Sequence, residues 1–306
     1  MPPRAAAASS RGLPALGVAA RVGAYLELSK FGIVLLVLVS AGAGFMLSAP
    51  LGPEFPWAQG LLVLVGVMLL SCGASALNQV QERGRDALMP RTAGRPLPSG
   101  RLTHAQCLAF SLAGIAAGAA LLWLGVGPVA GVLGLIASAF YNGVYTPWLK
   151  THSPFAAVPG AIPGAIPPVI GWVAGGGGVT DAGAIILFGI LFLWQLPHTL
   201  AIAQLYREDY ARAGVRLLPV IDAQGRSTER QILSGTLALL AVSLLPTLIG
   251  LAGGIYFTGA LVLGAGFVVL GAQQALAPSL SRARRVLLAS LLYLPVLLAL
   301  LAFDKA

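Results

Sequence analysis

Nine separate apolar runs, each close to the length of a bilayer crossing, constrain this chain more than any other feature. They cover 31–48, 57–78, 105–124, 127–145, 155–174, 182–204, 232–250, 255–274 and 286–303. A helix needs about 20 mainly apolar residues to cross the hydrocarbon core. Backbone N–H and C=O groups find no water there, so each run must close its hydrogen bonds within itself as a helix. The expectation is an all-α polytopic membrane protein with nine transmembrane helices. Only 9% of the 306 residues are charged and 57% are hydrophobic. Soluble domains carry about 25% charged residues, so a soluble globule is excluded. The net charge of +9 could suggest nucleic acid. In so apolar a chain it fits basic loops facing the anionic cytoplasmic leaflet, and no nucleic-acid partner is expected.

The charges also orient the chain. With the N-terminus cytoplasmic, the segments 1–30, 79–104, 146–154, 205–231 and 275–285 face the cytoplasm. They hold all of the 19 Lys and Arg residues except Lys305. The opposite loops near Pro53, Val126, Gly177 and Gly253 hold none. That asymmetry is the positive-inside pattern, and an odd span count puts the C-terminus outside. Residues 1–30 read as a cytoplasmic arm and 31–306 as a single intramembrane domain. The Arg- and Ser-containing start also resembles a transit peptide, but a bacterial inner-membrane protein is the favoured reading over a mitochondrial one. Cys72 and Cys107 lie in apolar runs without a C-x-x-C pattern, so neither a disulfide framework nor a thiolate metal site is indicated.

The chemistry concentrates after the second run. Asn78, Glu82 and Asp86 recur at i, i+4 and i+8. On a helix that places them on one stripe, roughly 6 Å apart along the axis. Carboxylates at membrane depth are costly and usually functional. Mg²⁺ favours one or two carboxylates together with water and substrate phosphate oxygens, so the stripe suits a Mg²⁺-diphosphate. Arg91 and Arg95 follow in a loop carrying Pro90, Pro96 and Pro98, and can reach phosphate oxygens bidentately. A solvated loop with surface Glu–Arg pairs is the bland alternative. A second acidic pair, Glu208 and Asp209, follows the sixth run on the same face.

The wording N-x-x-x-E-x-x-x-D, then M-x-R-T-x-x-R-P-L-P-x-G over 89–100, resembles the aspartate-rich motif of UbiA-type intramembrane prenyltransferases, and within them the protohaem IX farnesyltransferase branch. Glu82 stands where the family usually has its first Asp. Tyr145-Thr146-Pro147-Trp148-Leu149-Lys150, the segment Pro163 to Trp172, Trp194-Gln195-Leu196-Pro197-His198, and Tyr206 to Gly214 with Leu218-Pro219-Val220 are similar to further elements of that branch. Many members of the wider superfamily pair two spaced aspartates in the second motif; here Leu205 stands four residues before Asp209, a reduced form similar to that of the haem branch. The resemblance implies nine helices around a central cavity open to the cytoplasmic face, with motif loops at about 79–104 and 205–231. It implies that Asn78, Glu82, Asp86 and Asp209 are catalytic, with Glu82, Asp86 and Asp209 holding Mg²⁺. Arg91, Arg95, Lys150 and Arg207 would bind diphosphate. His198, Tyr145 and Trp194 would meet the haem acceptor.

The implied reaction joins farnesyl diphosphate to a vinyl group of protohaem IX (haem b), which is a substrate rather than a cofactor. Haem A synthase is implied as a downstream partner. A quinone precursor or chlorophyllide acceptor, or a haem-carrier role, are the competing readings. His198 could ligate iron or bond a propionate, or serve as an interhelical hydrogen-bonded histidine. His152 reads as interfacial and His104 as a helix-start surface residue. The Pro/Gly-rich fifth run reads as a cavity wall.

Overall fold

A computed structural model describes residues 17–222 and 224–306. Arg4, Arg11 and the transit-peptide-like start lie outside the described residues. The rest of the arm contains a helix, α1, over Val18–Leu28. It packs Ala24 and Leu28 against Ala76, Val80 and Leu102.

Among the described residues nine helices are long and apolar enough to cross a membrane. They are Phe31–Ser48, Trp57–Asp86, His104–Val126, Pro128–His152, Ala157–Ala174, Ala182–Leu205, Arg226–Leu248, Gly254–Leu276 and Leu280–Phe303, here spans one to nine. No strand accompanies them among the described residues beyond an isolated bridge between Ala252 and Lys305.

Three departures from the apolar runs position the site. Span two continues as helix to Asp86, so the polar stripe rides on rigid helix rather than on a loop. Span four runs on to His152 through wide π-helical turns at Phe140–Leu149. Pro147 inside that stretch has no N–H to donate, which disfavours the ordinary α ladder. Span five is two pieces, Ala157–Ala165 and Pro167–Ala174, interrupted where Pro167 and Pro168 remove two donors. Between spans three and four the chain reverses at Gly127, whose φ of 150° favours glycine.

Between spans, lipid offers no hydrophobic gain for pairing, so close packing and hydrogen bonds must hold the bundle. Gly171 of span five lies directly on the Ala41 carbonyl of span one, and Gly118 of span three on the Leu70 backbone of span two. A side chain at either would collide with backbone that cannot move aside. Gly171→Val is therefore expected to yield no single folded species by size-exclusion chromatography in detergent. Gly266→Ala, where a Cβ meets nothing within 4 Å, is expected to elute as the wild type.

The second half packs around Trp172, Trp194, Tyr256 and Tyr293. Their polar tips are satisfied internally: Tyr256 donates to the Ser243 carbonyl at 2.7 Å and Tyr293 to the Ser243 hydroxyl at 2.8 Å. The C-terminal residues close the far end of the bundle. Asp304 accepts from the Tyr256 amide at 2.7 Å at the start of span eight. Lys305 donates to the Met46 and Ala49 carbonyls at 2.9 and 2.7 Å, where span one ends. The one basic residue outside the positive-inside pattern is thus a cap on helix carbonyls, where positive charge is favoured.

Candidate functional site

Asn78, Glu82 and Asp86 share one face of span two and are buried, with 1%, 4% and 1% of their surfaces exposed. Two buried carboxylates require compensation, and each finds a cation from a different part of the chain. Lys150, carried inward by the π-helical end of span four, donates to both Glu82 oxygens at 2.6 and 2.9 Å. Arg95 reaches back to both Asp86 oxygens at 2.8 Å. Lys30, at the head of span one, donates to Asn78 Oδ1 at 2.8 Å. Asn78 Nδ2 in turn donates to Glu82 Oε2 and to the Thr146 hydroxyl, both at 3.1 Å. Thr92 ties the proline-bearing loop to the helix by donating to the Asp86 carbonyl at 2.8 Å.

Lys30 adopts φ 52°, the left-handed region that costs a non-glycine residue about 1–2 kcal/mol. That turn between α1 and span one aims its ammonium at the stripe. Burial, reinforced by the charge of Arg95, brings Lys30 down to about 8. It is therefore still mainly cationic at neutral pH, and an arriving anion would raise it again.

Lys30 also lines the mouth of a cavity of about 210 Å³ between spans one to six. Its other walls are mainly apolar or small, among them Val67, Leu70 and Ala74 of span two, Leu122 of span three, Pro163 and Ile170 of span five, with Tyr141 and Gln195 as the larger polar side chains. From Ser75 to Val67 the span-two wall descends roughly 12 Å at 1.5 Å per residue. A charged mouth above an apolar shaft suits an amphiphile with an anionic head. The broken fifth span does form a wall, through Gly160, Pro163, Gly164, Pro167 and Ile170.

The donor set fits a hard divalent cation: two carboxylates and a carboxamide oxygen on one rigid stripe. No three His, Cys, Asp or Glu side chains converge on one metal position among the described residues. Remaining coordination would fall to phosphate oxygens and water, as Mg²⁺ prefers.

Other expected residues lie elsewhere. Asp209 pairs with Arg212 at 2.8 Å. Arg91 stacks over the rings of Tyr206 and Tyr210, 4.7 and 5.9 Å from their centroids, so it clamps the two motif loops together rather than facing Asp86. Those loops also share an apolar cluster containing Met89, Ala156, Ala213, Val215 and Leu217. Arg207 is exposed and lines a different pocket. Tyr145 borders the site, stacked on Tyr141 at 5.9 Å. Trp194 and His198 turn to span nine: the indole donates to the Ser290 carbonyl at 2.7 Å and His198 Nδ1 lies 2.8 Å from the Ser290 hydroxyl. Gln195 is the member of that motif that lines the cavity. Lys30, Thr146, Tyr141 and Gln195 are the site residues that the sequence reading missed.

Residues 16–300 match the model of the UbiA prenyltransferase family. The chain belongs to this family. Protoheme IX farnesyltransferase of Solibacter usitatus (strain Ellin6076) is 45% identical over 288 residues, covering 92% of this chain and 98% of that protein. The Koribacter versatilis (strain Ellin345) protein of the same name is 41% identical over 302 residues, covering 96% of each. A solved digeranylgeranylglyceryl phosphate synthase shares the fold with a TM-score of 0.76 at 20% identity, covering 93% of this chain and 98% of that one. So does a UbiA homolog from Archaeoglobus fulgidus bound to DMAPP and Mg²⁺, with a TM-score of 0.62 at 16% identity, covering 90% and 98%. This UbiA-family chain is thus a multi-pass membrane prenyltransferase.

Proposed function

We propose that the chain transfers the farnesyl group of farnesyl diphosphate to a vinyl group of protohaem IX, giving haem O and diphosphate. The observation that carries the site chemistry is the buried Asn78–Glu82–Asp86 stripe, hydrogen-bonded by Lys30, Lys150 and Arg95, beside a mainly apolar cavity that Lys30 lines. The near-full-length likeness to proteins named Protoheme IX farnesyltransferase supports the choice of donor and acceptor.

Glu82 and Asp86, with Asn78, would hold Mg²⁺. When bound, the metal supplies positive charge to the departing diphosphate and favours ionisation of the allylic C–O bond. Lys30, Lys150 and Arg95 hold the stripe in the free chain and are the groups positioned to turn to phosphate oxygens. The shaft below shields the farnesyl cation from stray water. The acceptor vinyl group then forms the new C–C bond, and water adds to the resulting haem-side cation with loss of a proton. Tyr145 is the expected acceptor-side residue that borders the site. Asp209, on the connection clamped by Arg91 and paired with Arg212 in the free chain, would be the third metal ligand that the family resemblance implies. The enzyme would sit in a bacterial inner membrane, N-terminus cytoplasmic, as a single domain over 31–306, and pass its product to haem A synthase.

The shaft predicts a length preference. Ala74 lines it about 6 Å below Asn78 by helix rise. Ala74→Phe is expected to lower kcat/KM for farnesyl diphosphate by about 10- to 100-fold while sparing dimethylallyl diphosphate. Steady-state kinetics with the two donors checks this.

The function itself is tested by offering purified protein farnesyl diphosphate and Mg²⁺ with protohaem, 4-hydroxybenzoate or chlorophyllide in separate reactions. A farnesyl adduct on protohaem alone is expected. An adduct on either other acceptor with none on protohaem would overturn the assignment.

A further inference from the structure

Gln195 brings a carboxamide from span six to the cavity wall, and neither metal binding nor diphosphate binding calls for it. Its neighbours fix how the amide lies. Nε2 donates to the Leu191 carbonyl at 2.9 Å, one turn back on the same helix, and to the Ala161 carbonyl of span five at 3.2 Å. Two carbonyls demand a donor on that side, so the nitrogen and the oxygen cannot exchange places. Both Nε2 protons are thereby used. Oε1 lies against Gly164, which also lines the cavity. A Cβ on Gly164 would collide with that oxygen, so the glycine leaves the carboxamide its seat. Oε1 accepts from no other side chain or amide among the described residues, and unlike Oε1 of Gln79 it is not sealed inside the protein.

An oriented acceptor with free lone pairs, on a mainly apolar wall, is a seat for a small hydrogen-bond donor. The hydroxyls of Ser138 and Tyr141, one helical turn apart on span four, line the same cavity and can supply the further bonds that a held water needs.

The reaction consumes such a water. Diphosphate departs with the electron pair of the allylic C–O bond. The vinyl π pair then bonds the terminal vinyl carbon to the farnesyl cation and leaves the inner vinyl carbon positive. A lone pair of water forms the new C–O bond there, and the water's proton passes to diphosphate, the base that the reaction itself releases. Without a water in place, the same cation sheds a proton from the adjacent carbon and becomes an alkene, lighter by one water. The chamber must keep free water from the farnesyl cation yet deliver one water to the acceptor-side cation. A water bound at a fixed polar group meets both demands.

We propose that Gln195 Oε1 holds the water that becomes the hydroxyl group of the product. This rests on protohaem being the acceptor. The carboxamide oxygen draws the water's proton toward itself as the C–O bond forms, which aims a lone pair at the cation.

The test is the product made by purified protein from farnesyl diphosphate, Mg²⁺ and protohaem, resolved by mass into hydroxylated and dehydrated adducts. Wild-type protein is expected to give the hydroxylated adduct. Gln195→Met keeps the length of the side chain and removes both polar atoms. It is expected to lower the ratio of hydroxylated to dehydrated adduct at least about tenfold, while diphosphate release stays close to that of the wild type. Gly164→Ala, whose methyl group pushes the carboxamide off its seat, is expected to shift the ratio the same way with Gln195 intact. A role confined to tying span six to span five would not alter the ratio. Each variant is checked for folding by size-exclusion chromatography, and an unchanged ratio in either folded variant overturns the proposal. So does loss of diphosphate release in folded Gln195→Met, which would place Gln195 in the ionisation step. No adduct on protohaem with the wild type would overturn the acceptor assignment itself, and this proposal with it.

Discussion

Asp86→Asn is expected to lower turnover by at least about 100-fold, with Glu82→Gln close behind, while both proteins still insert and purify as single species. Each substitution keeps the size of the side chain and removes one negative charge from the face that has to hold metal and diphosphate. Asp86 is buried, and its pairing with Arg95 joins the Thr92 bond in linking the helix end to the loop. Asparagine can still accept from Arg95, so the loop keeps its place. What it cannot do is offer an anionic oxygen to a divalent cation. The loss should therefore appear in diphosphate release at every Mg²⁺ concentration, with saturation shifted to higher Mg²⁺. Near-normal release by either variant would exclude the stripe as the metal site.

Lys150→Met should produce the second large effect, and it couples stability to metal. Lys150 is the direct counter-ion of Glu82, and side-chain exposure at the pair is 17% and 5%. Removing one partner of a buried pair costs up to about 3–5 kcal/mol, and here Glu82 keeps only the longer, more exposed ion pair with Arg85 at 3.9 Å. Mg²⁺ restores a positive charge beside Glu82. Stabilisation by a ligand reaches about 2.7 kcal/mol at 100 times its Kd. The melting temperature of Lys150→Met should thus fall well below that of the wild type without metal and recover much of the gap on adding Mg²⁺. Turnover at saturating Mg²⁺ stays low, since a phosphate-facing cation is gone. Equal metal-free stability, or a Mg²⁺ shift no larger than in the wild type, would contradict the counter-ion role.

The spans were legible because apolar length alone dictates them in lipid. The stripe was legible because Asn78, Glu82 and Asp86 repeat at helical spacing. Its cations were less so. Arg95 lies close in the chain, and Lys150 was found only through resemblance. Lys30 reaches Asn78 across 48 positions, through a left-handed turn that no local pattern announces. In the W-Q-x-P-H segment it is Gln195, one position from the expected Trp194, that lines the cavity. On a helix, Trp194 and His198 share a face, and that face meets Ser290 of span nine, which leaves Gln195 to the cavity. Arg91 and Arg207 looked like phosphate ligands from charge alone, but Tyr206 and Tyr210 capture the first and a different pocket takes the second.

The most direct test of the account is mass analysis of haems extracted from cells that lack their own haem O and express this protein. Wild-type protein should give a haem heavier than haem b by one farnesyl group plus one hydroxyl group, and Asp86→Asn should not. Only haem b with the wild type, or the heavier haem persisting in Asp86→Asn, would contradict it.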